Sequence, residues 1–490
     1  MNGKTERPAI ALVLEHLNKK YNCNLESDYY NRIDQWVHWW EGYYEPFHKR
    51  KEWNGEKVTN RELFTMRMAK KICEDWAAIL LNEKTTVTVE DNASSLYLQG
   101  EDGTGGVFGD NDFWRQANAL IERAFATGTG AFVLRLSGIG VADDGTIQRG
   151  QGSVKIAYLD APCIVPISIE GGKVTEAAFA SSVVDKGERY IYLESHVIEG
   201  GQYVIHNEYF KMKNGALSPD QLPDGVPDTL YTGGDVPWFV LLAPNVVNTI
   251  RHNNGLGMSI FGNSIDNLKG VDLAFNNFCQ DFKLGGKKVF YNKSLARTDE
   301  QGRTITPDDV AQQLFTVLGD GDVADLDTKD LVHEFNPELR VEENRTGLQA
   351  QLDYLSFKCG LGPRRYRFEA GTVQTATEYT GSQQELVQNA NKHYIVVERA
   401  LQSLSRAILY LGKEFCGQPV NPDAKVSVQF EDSYIIDKES ERQRDLQEVR
   451  DGLMMDWEYR VKWRGETEDD AKKILSGKKT DDDWMGFKGE

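Results

Sequence analysis

This 490-residue sequence predicts an α+β fold, and three observations support it. Segments with apolar residues every three or four positions occur near both ends of the chain, as amphipathic helices require. Between them, across residues 133–210, short runs are separated by Gly, Asp and Ser, the punctuation of strands and turns. The chain is 40% hydrophobic and 27% charged, the balance of a packed globular protein long enough for two or three domains.

Taken in order, residues 28–81 read as helical and very aromatic. Trp36, Trp39, Trp40, Tyr43, Tyr44 and Phe47 come first, and a second segment, 61–81, sets Leu63, Met66, Ala69, Ile72, Cys73, Trp76 and Leu80 along one helix face. Residues 85–89 alternate like a strand, and 114–126 read as a helix ending at Gly128. Short strands are expected at 133–136, 154–159, 174–179, 190–194 and 202–210. The segment 218–237 holds four of the chain's 14 prolines and reads as a boundary loop.

Beyond that boundary, 259–283 is expected to be helical, with Ile265, Leu268, Phe275, Phe278 and Phe282 on one side and Asn263, Asn267, Asn276 and Asn277 on the other. A small insert follows: a strand at 287–291, a helix from Pro307 to Leu318, an acidic loop, and a returning strand at 331–335. A helix over 342–358 then enters a Gly/Pro-punctuated loop. Thr375 and Glu378 have capping-box spacing, so the next helix should begin near Ala376. Tyr394, Val397, Leu401, Leu404, Ile408 and Leu411 carry it to about Phe415, far beyond the average helix of about 11 to 12 residues. It should span the body. After Pro419 and Pro422 come a strand at 425–430 and a helical hairpin, 437–455 and 467–475, around Trp457, Tyr459 and Trp463, with a charged tail after Ser476.

Composition excludes several classes. No apolar run approaches the roughly 20 residues a bilayer requires, so neither export nor membrane insertion is expected. The six cysteines, Cys23, Cys73, Cys163, Cys279, Cys359 and Cys416, form no C-x-x-C pair and read as buried, reduced thiols. No P-loop is present, since Gly285-Gly-Lys-Lys288 precedes a strand rather than a helix. Neither H-E-x-x-H nor G-x-S-x-G occurs, which leaves hydrolysis without named residues. The run Asp320-Gly-Asp322-Val-Ala-Asp325-Leu-Asp327 fails the EF-hand spacing and reads as a solvated acidic loop. Trp36-Val-His-Trp-Trp40 lacks basic interleaving, so it reads as core or interface packing, with His38 as a buried, satisfied histidine. No cofactor is expected.

The anomaly is Cys359-Gly-Leu-Gly-Pro-Arg-Arg-Tyr-Arg-Phe-Glu-Ala-Gly371. It concentrates Arg364, Arg365 and Arg367, interleaved with Tyr366 and Phe368, in a chain of net charge −19. Such an acidic chain cannot coat DNA generally, because non-specific affinity comes from cations neutralising phosphates. Two readings of the arginines stand: local pairing with carboxylates such as Glu369, or contact with an anionic ligand.

Several segments resemble the portal proteins of tailed double-stranded DNA bacteriophages, in particular the branch from siphoviruses of Gram-positive hosts. They are Trp39-Trp-Glu-Gly-Tyr43, Met68-Ala-Lys-Lys-Ile-Cys-Glu-Asp-Trp-Ala77, Asn82-Glu-Lys84, Gly262-Asn-Ser-Ile-Asp-Asn267, Gly360-Leu-Gly-Pro363 and Thr375-Ala-Thr-Glu378. Their order over nearly the whole chain carries the likeness. It implies a non-enzymatic ring, commonly of twelve subunits, at one capsid vertex, through which DNA is packaged and later ejected. In the family's terms, 1–258 would be the wing, 259–283 and 342–358 the stem helices, 284–341 the clip, 359–375 the tunnel loop, 376–430 the long wing helix and strand, and 431–490 the crown. Arg364, Arg365, Tyr366 and Arg367 would then contact DNA without reading its sequence. The clip residues Lys287, Lys288, Asp320, Asp322 and Asp325 would dock the terminase large subunit. Implied partners also include the major capsid, scaffolding and head-completion (adaptor) proteins, first in the host cytoplasm and then in the virion. A mostly repulsive channel with a few cationic contacts would let DNA slide. Two alternatives remain: a metal-dependent nucleic-acid-processing enzyme of a mobile element, with Asp320, Asp322 and Asp325 as ligands, and another ring-forming head or tail protein that does not touch DNA.

Overall fold

The computed structural model describes residues 9–53, 57–82, 84–101, 103–142, 145–150, 152–185, 187–213, 215–223, 225–286, 288–292, 300–301, 315–318, 332–367, 376–430, 438–464, 467–468 and 471–475. Its first quarter is helical apart from three short strands. Helices α1 (Ile10–Tyr21), α2 (Asp28–Glu41) and α3 (Glu45–His48) lead into a hairpin of β1 (Lys49–Trp53) and β2 (Val58–Glu62). Then come α4 (Met68–Leu80), β3 (Thr86–Val89), α5 (Asn92–Gln99), α6 (Gly106–Asp110) and α7 (Phe113–Thr127).

The periodicity of 61–81 is only partly helical: α4 starts at Met68, and 61–62 belong to β2. Side chains from a distant helix replace the carbonyls that a longer α4 would use. Asn276 Oδ1 accepts from the Phe64 amide at 3.3 Å and Asp272 Oδ1 from that of Met66 at 2.7 Å. Arg67, the N-cap, sits at φ 55, which ends any continuation upstream.

The β region contains β4 (Gly130–Ser137), β5 (Ser153–Asp160), β6 (Ile164–Glu170), β7 (Lys173–Asp185), β8 (Glu188–Glu199), β9 (Gln202–Lys213), β10 (Ala216–Asp220), β11 (Thr229–Tyr231) and β12 (Phe239–Leu242). Strands β6 to β10 form an antiparallel meander, with β11 also on β9. Its strands outrun the short ones expected because the hairpins are tight. Gly171-Gly172 and Gly200-Gly201, all at positive φ, make two-residue turns whose twist matches that of the flanking strands. The segment 218–237 is not a boundary: β10 and β11 inside it pair with β9, and β12 just beyond it pairs with β4.

Helix α8 (Ile265–Leu284) and α9 (Val341–Lys358) form an antiparallel pair around a three-stranded insert of β13 (Lys288–Asn292), β14 (Phe315–Leu318) and β15 (Val332–Phe335). Residues 315–318, expected to end a helix, are a strand parallel to β13. The faces of α8 are also redistributed. Leu268, Val271, Asp272 and Asn276 are buried while Phe282 is half exposed, because the Asp272 carboxylate and the Asn276 amide are spent on residues flanking the β1–β2 hairpin.

Helix α10 (Ala376–Glu414) has 39 residues, about 58 Å at the α-helical rise. It packs on α4, α5, β5 and β12. Its expected capping residue, Thr375, lies outside the described residues. Strand β16 (Val426–Gln429) pairs with β3, so N- and C-terminal segments share one core with Trp36, Trp76, Phe125, Trp238 and Phe261 at full burial. The C-terminal hairpin is made of α11 (Lys438–Arg450) and α12 (Asp456–Arg464). The aromatics expected between its helices lie within α12. His38 is exposed, contrary to expectation, and the buried histidine nearby is His48.

Candidate functional site

The arginine loop starts where α9 stops, and its first turn is built by the backbone. The Gly360 amide donates to Phe357 O at 3.1 Å and the Leu361 amide to Ser356 O at 3.0 Å. With Gly360 at φ 79, this is a Schellman C-cap, which favours glycine because a Cβ is disfavoured there. Leu361, the residue after it, is buried.

Three helices then hold the loop's base. From α4, the Trp76 indole N–H donates to Cys359 O at 3.1 Å. From α10, Asn389 Nδ2 donates to Gly360 O at 3.1 Å. From α9, Gln349 Nε2 donates both to Tyr366 O at 3.1 Å and to Asp353 Oδ1 at 2.9 Å. Two carbonyls at the loop's start and one at Tyr366 are thus satisfied by side chains, as near-buried carbonyls require.

Tyr366 points inward, so it does not share the exposure of its arginine neighbours. Its ring is buried and its hydroxyl donates to Asp75 Oδ2 at 3.0 Å; Lys71 Nζ donates to Asp75 Oδ1 at 2.7 Å. Burial, and then the charge of Asp75, push the Tyr366 phenol far up, so it stays protonated as a donor. Its place in the expected DNA-contacting set is therefore corrected: Tyr366 anchors the loop.

The arginines point the other way. Arg364 is exposed at φ 75, a left-handed conformation that costs a non-glycine residue about 1 kcal/mol. Arg365 is exposed and borders a groove of about 500 Å³ with Asp75, Ile79, Asn82, Trp114 and Asn118. Neither arginine has an ion pair with a described residue. Arg367 Nη2 lies 3.6 Å from Asp353 Oδ2 in a partly exposed pair, worth less than about 1 kcal/mol. Local pairing thus accounts for one cation of three among the described residues. The carboxylate named for that role in the sequence, Glu369, lies outside them, as do Phe368 and 369–375.

Of the insert residues, Lys288 opens β13 opposite Phe335; Lys287, Asp320, Asp322 and Asp325 lie outside the described residues. Among the described residues no group of three or more His, Cys, Asp or Glu could hold a metal ion, and no helix is long and apolar enough to cross a membrane. The cysteines are free, with Cys73, Cys359 and Cys416 buried; burial pushes the Cys359 thiol up to about 12.

Asp75, Trp76, Gln349 and Asn389 were not singled out as site residues from sequence. Asp75 and Trp76 carried the available signal: a charged residue beside a tryptophan on an otherwise apolar helix face requires a buried partner.

A family model described as "Phage portal protein, SPP1 Gp6-like" matches residues 15–482. No curated protein matches the chain.

Proposed function

We propose that in this chain, which belongs to the SPP1 Gp6-like phage portal family, Arg364 and Arg365 are the DNA-facing cations of the channel. Portal proteins form the channel at one capsid vertex through which double-stranded DNA is packaged and later ejected, and they dock the terminase motor and head-completion proteins. That is the function of this protein. The family is structural rather than enzymatic, and our reading gives the chain no catalytic step and no cofactor.

The finer assignment is ours. We take the ring to have twelve subunits, α8 and α9 to be its stem, the β13–β15 insert its clip, α11 and α12 its crown, and 359–375 its tunnel loop. Lys287, Lys288, Asp320, Asp322 and Asp325 would meet the terminase large subunit. Capsid, scaffolding and adaptor proteins would contact the ring during assembly in the host cytoplasm, and the phage would be a siphovirus of a Gram-positive host.

One observation carries the DNA assignment. Two exposed arginines without a described ion-pair partner stand on a loop whose base is fastened to three helices. A cation held at fixed height can touch phosphate without wrapping it, and phosphate contacts carry no sequence information, as packaging any genome requires. The test is Arg364→Ala, Arg365→Ala and Arg367→Ala together in an infectious phage. Packaged-DNA yield or packaged genome length should fall while ring formation persists. Unchanged yield and length would refute the assignment.

A further inference from the structure

We propose that the β1–β2 hairpin is an arm by which one copy of this chain grips a second copy, with Trp53 and Val58 as its apolar tip. The proposal rests on the ring reading above and goes beyond it by naming a contact surface.

The hairpin stands apart from the fold. β1 and β2 pair only with each other, and a lone two-stranded hairpin is marginal in water. β2 is exposed at four of its five positions. Trp53 and Val58, the last pair of the ladder, are 66% and 60% exposed. No other described strand or helix covers them.

Its base, by contrast, is fixed. His48, fully buried, places Nε2 3.0 Å from Asp272 Oδ2 on α8, and the Tyr44 amide donates to its Nδ1 at 2.8 Å. The Leu63 amide donates to His48 O at 2.8 Å, closing the hairpin's foot. Asp272 also accepts from the Met66 amide. A stiff foot with an apolar tip in solvent is the geometry of a docking element: pre-ordering lowers the entropy cost of association, and tryptophan is the side chain most enriched among binding hot spots.

Charge selects the occupant. Residues 49–62 carry five cations, Lys49, Arg50, Lys51, Lys57 and Arg61, against Glu52, Glu56 and Glu62, a net of +2, so the remainder of the chain carries −19 − 2 = −21. The three interleaved glutamates and the apolar tip argue against duplex DNA, which offers phosphates but no apolar pocket. A second copy supplies both an acidic surface and a partner of fixed stoichiometry.

The test is Trp53→Ala with Val58→Ser in the full chain, followed by sedimentation over a series of protein concentrations. The double variant should need a roughly ten-fold higher concentration for half-maximal assembly, the effect of losing about 1.4 kcal/mol per contact. A photocrosslinking phenylalanine analogue substituted for Trp53, which leaves the fold intact, should yield covalent dimers on a denaturing gel. If the wild type forms rings but the variant assembles equally well, or the analogue crosslinks only within its own chain, to DNA or to a capsid protein, the arm proposal is overturned. If the wild type forms no ring at any concentration, the ring reading itself falls.

Discussion

Tyr366→Phe tests the anchoring of the arginine loop, because it deletes a single hydroxyl. The lost hydrogen bond runs 3.0 Å to Asp75, a carboxylate 8% exposed. Bonds to charged groups are worth about 1.5–3 kcal/mol, and the low end applies here because Lys71 at 2.7 Å still compensates Asp75. Asp75→Ala should cost more, about 2.5 kcal/mol, since it also strands a buried tyrosine hydroxyl without an acceptor. The double variant should then cost little more than Asp75→Ala alone, leaving a coupling of about 1.5 kcal/mol. Global unfolding of so large a chain is not two-state, so the readout should be local. Hydrogen exchange at the Gly360 and Leu361 amides, bonded to Phe357 O and Ser356 O, reports opening of the loop base. Tyr366→Phe should speed it about ten-fold, at about 1.4 kcal/mol per decade. Exchange unchanged within two-fold, or strictly additive single effects, would refute the anchor.

Two further predictions concern the body that carries the loop. His393 on α10 is buried between the Trp76 and Phe125 rings, and its Nδ1 accepts from the Asn245 amide at 3.1 Å. Burial, and then Lys392, lower its pKa from 6.5 to about 3. The unfolded chain therefore binds the proton first, so stability is complete above about pH 6.5 and falls by about 1.4 kcal/mol per unit as pH drops from there towards 3. Hydrogen exchange along α10 between pH 7 and 5 should show that slope, and His393→Gln should flatten it. Gly128→Ala should cost more than about 3 kcal/mol, because at φ 93 its Cβ would lie 2.4 Å from Gly257 O, which already accepts the Tyr29 hydroxyl. Gly171→Ala, at φ 56 with open space around it, should cost only about 1 kcal/mol. Thermal midpoints of the two variants give the comparison, and equal losses would contradict the steric argument.

Much of this was legible in the sequence because local rules and tertiary packing agree there. Helix α7 ends at Gly128 and α9 runs to Lys358, where periodicity and glycine placement point the same way, and α10 opens at Ala376, where the Thr375/Glu378 spacing set its start. The failures lie where distant side chains override the local pattern. Leu63 and Met66 have helical spacing, but Asn276 and Asp272 capture the amides of Phe64 and Met66. Pro219, Pro223, Pro227 and Pro237 suggested a boundary, yet Pro219 lies in β10, at the sheet's edge, where a strand tolerates a missing donor. For the arginine loop, sequence located the cations but not their support. Tyr366 was grouped with its neighbours because alternation in a loop does not reveal which side chain turns inward; that depends on Asp75, 291 residues away.

Both cationic projections rest on a buried carboxylate. Asp75, 8% exposed, takes the Tyr366 hydroxyl under the arginine loop, and Asp272, 3% exposed, sits against His48 under the hairpin. A carboxylate withdrawn from water must find donors, since an unpaired one would cost several kcal/mol. It therefore selects one geometry for the segment that supplies them. Exposed arginines such as Arg364 and Arg365 need no such partner, because water solvates them. The chain's acidity thus acts in two ways: its surface carboxylates oppose general adhesion of DNA, while two interior ones fix where the two projections stand. This also explains why the cations can be few. A cation on a loose loop must give up backbone entropy with each contact, whereas one carried on a fastened base has that order already and loses only its own side-chain freedom.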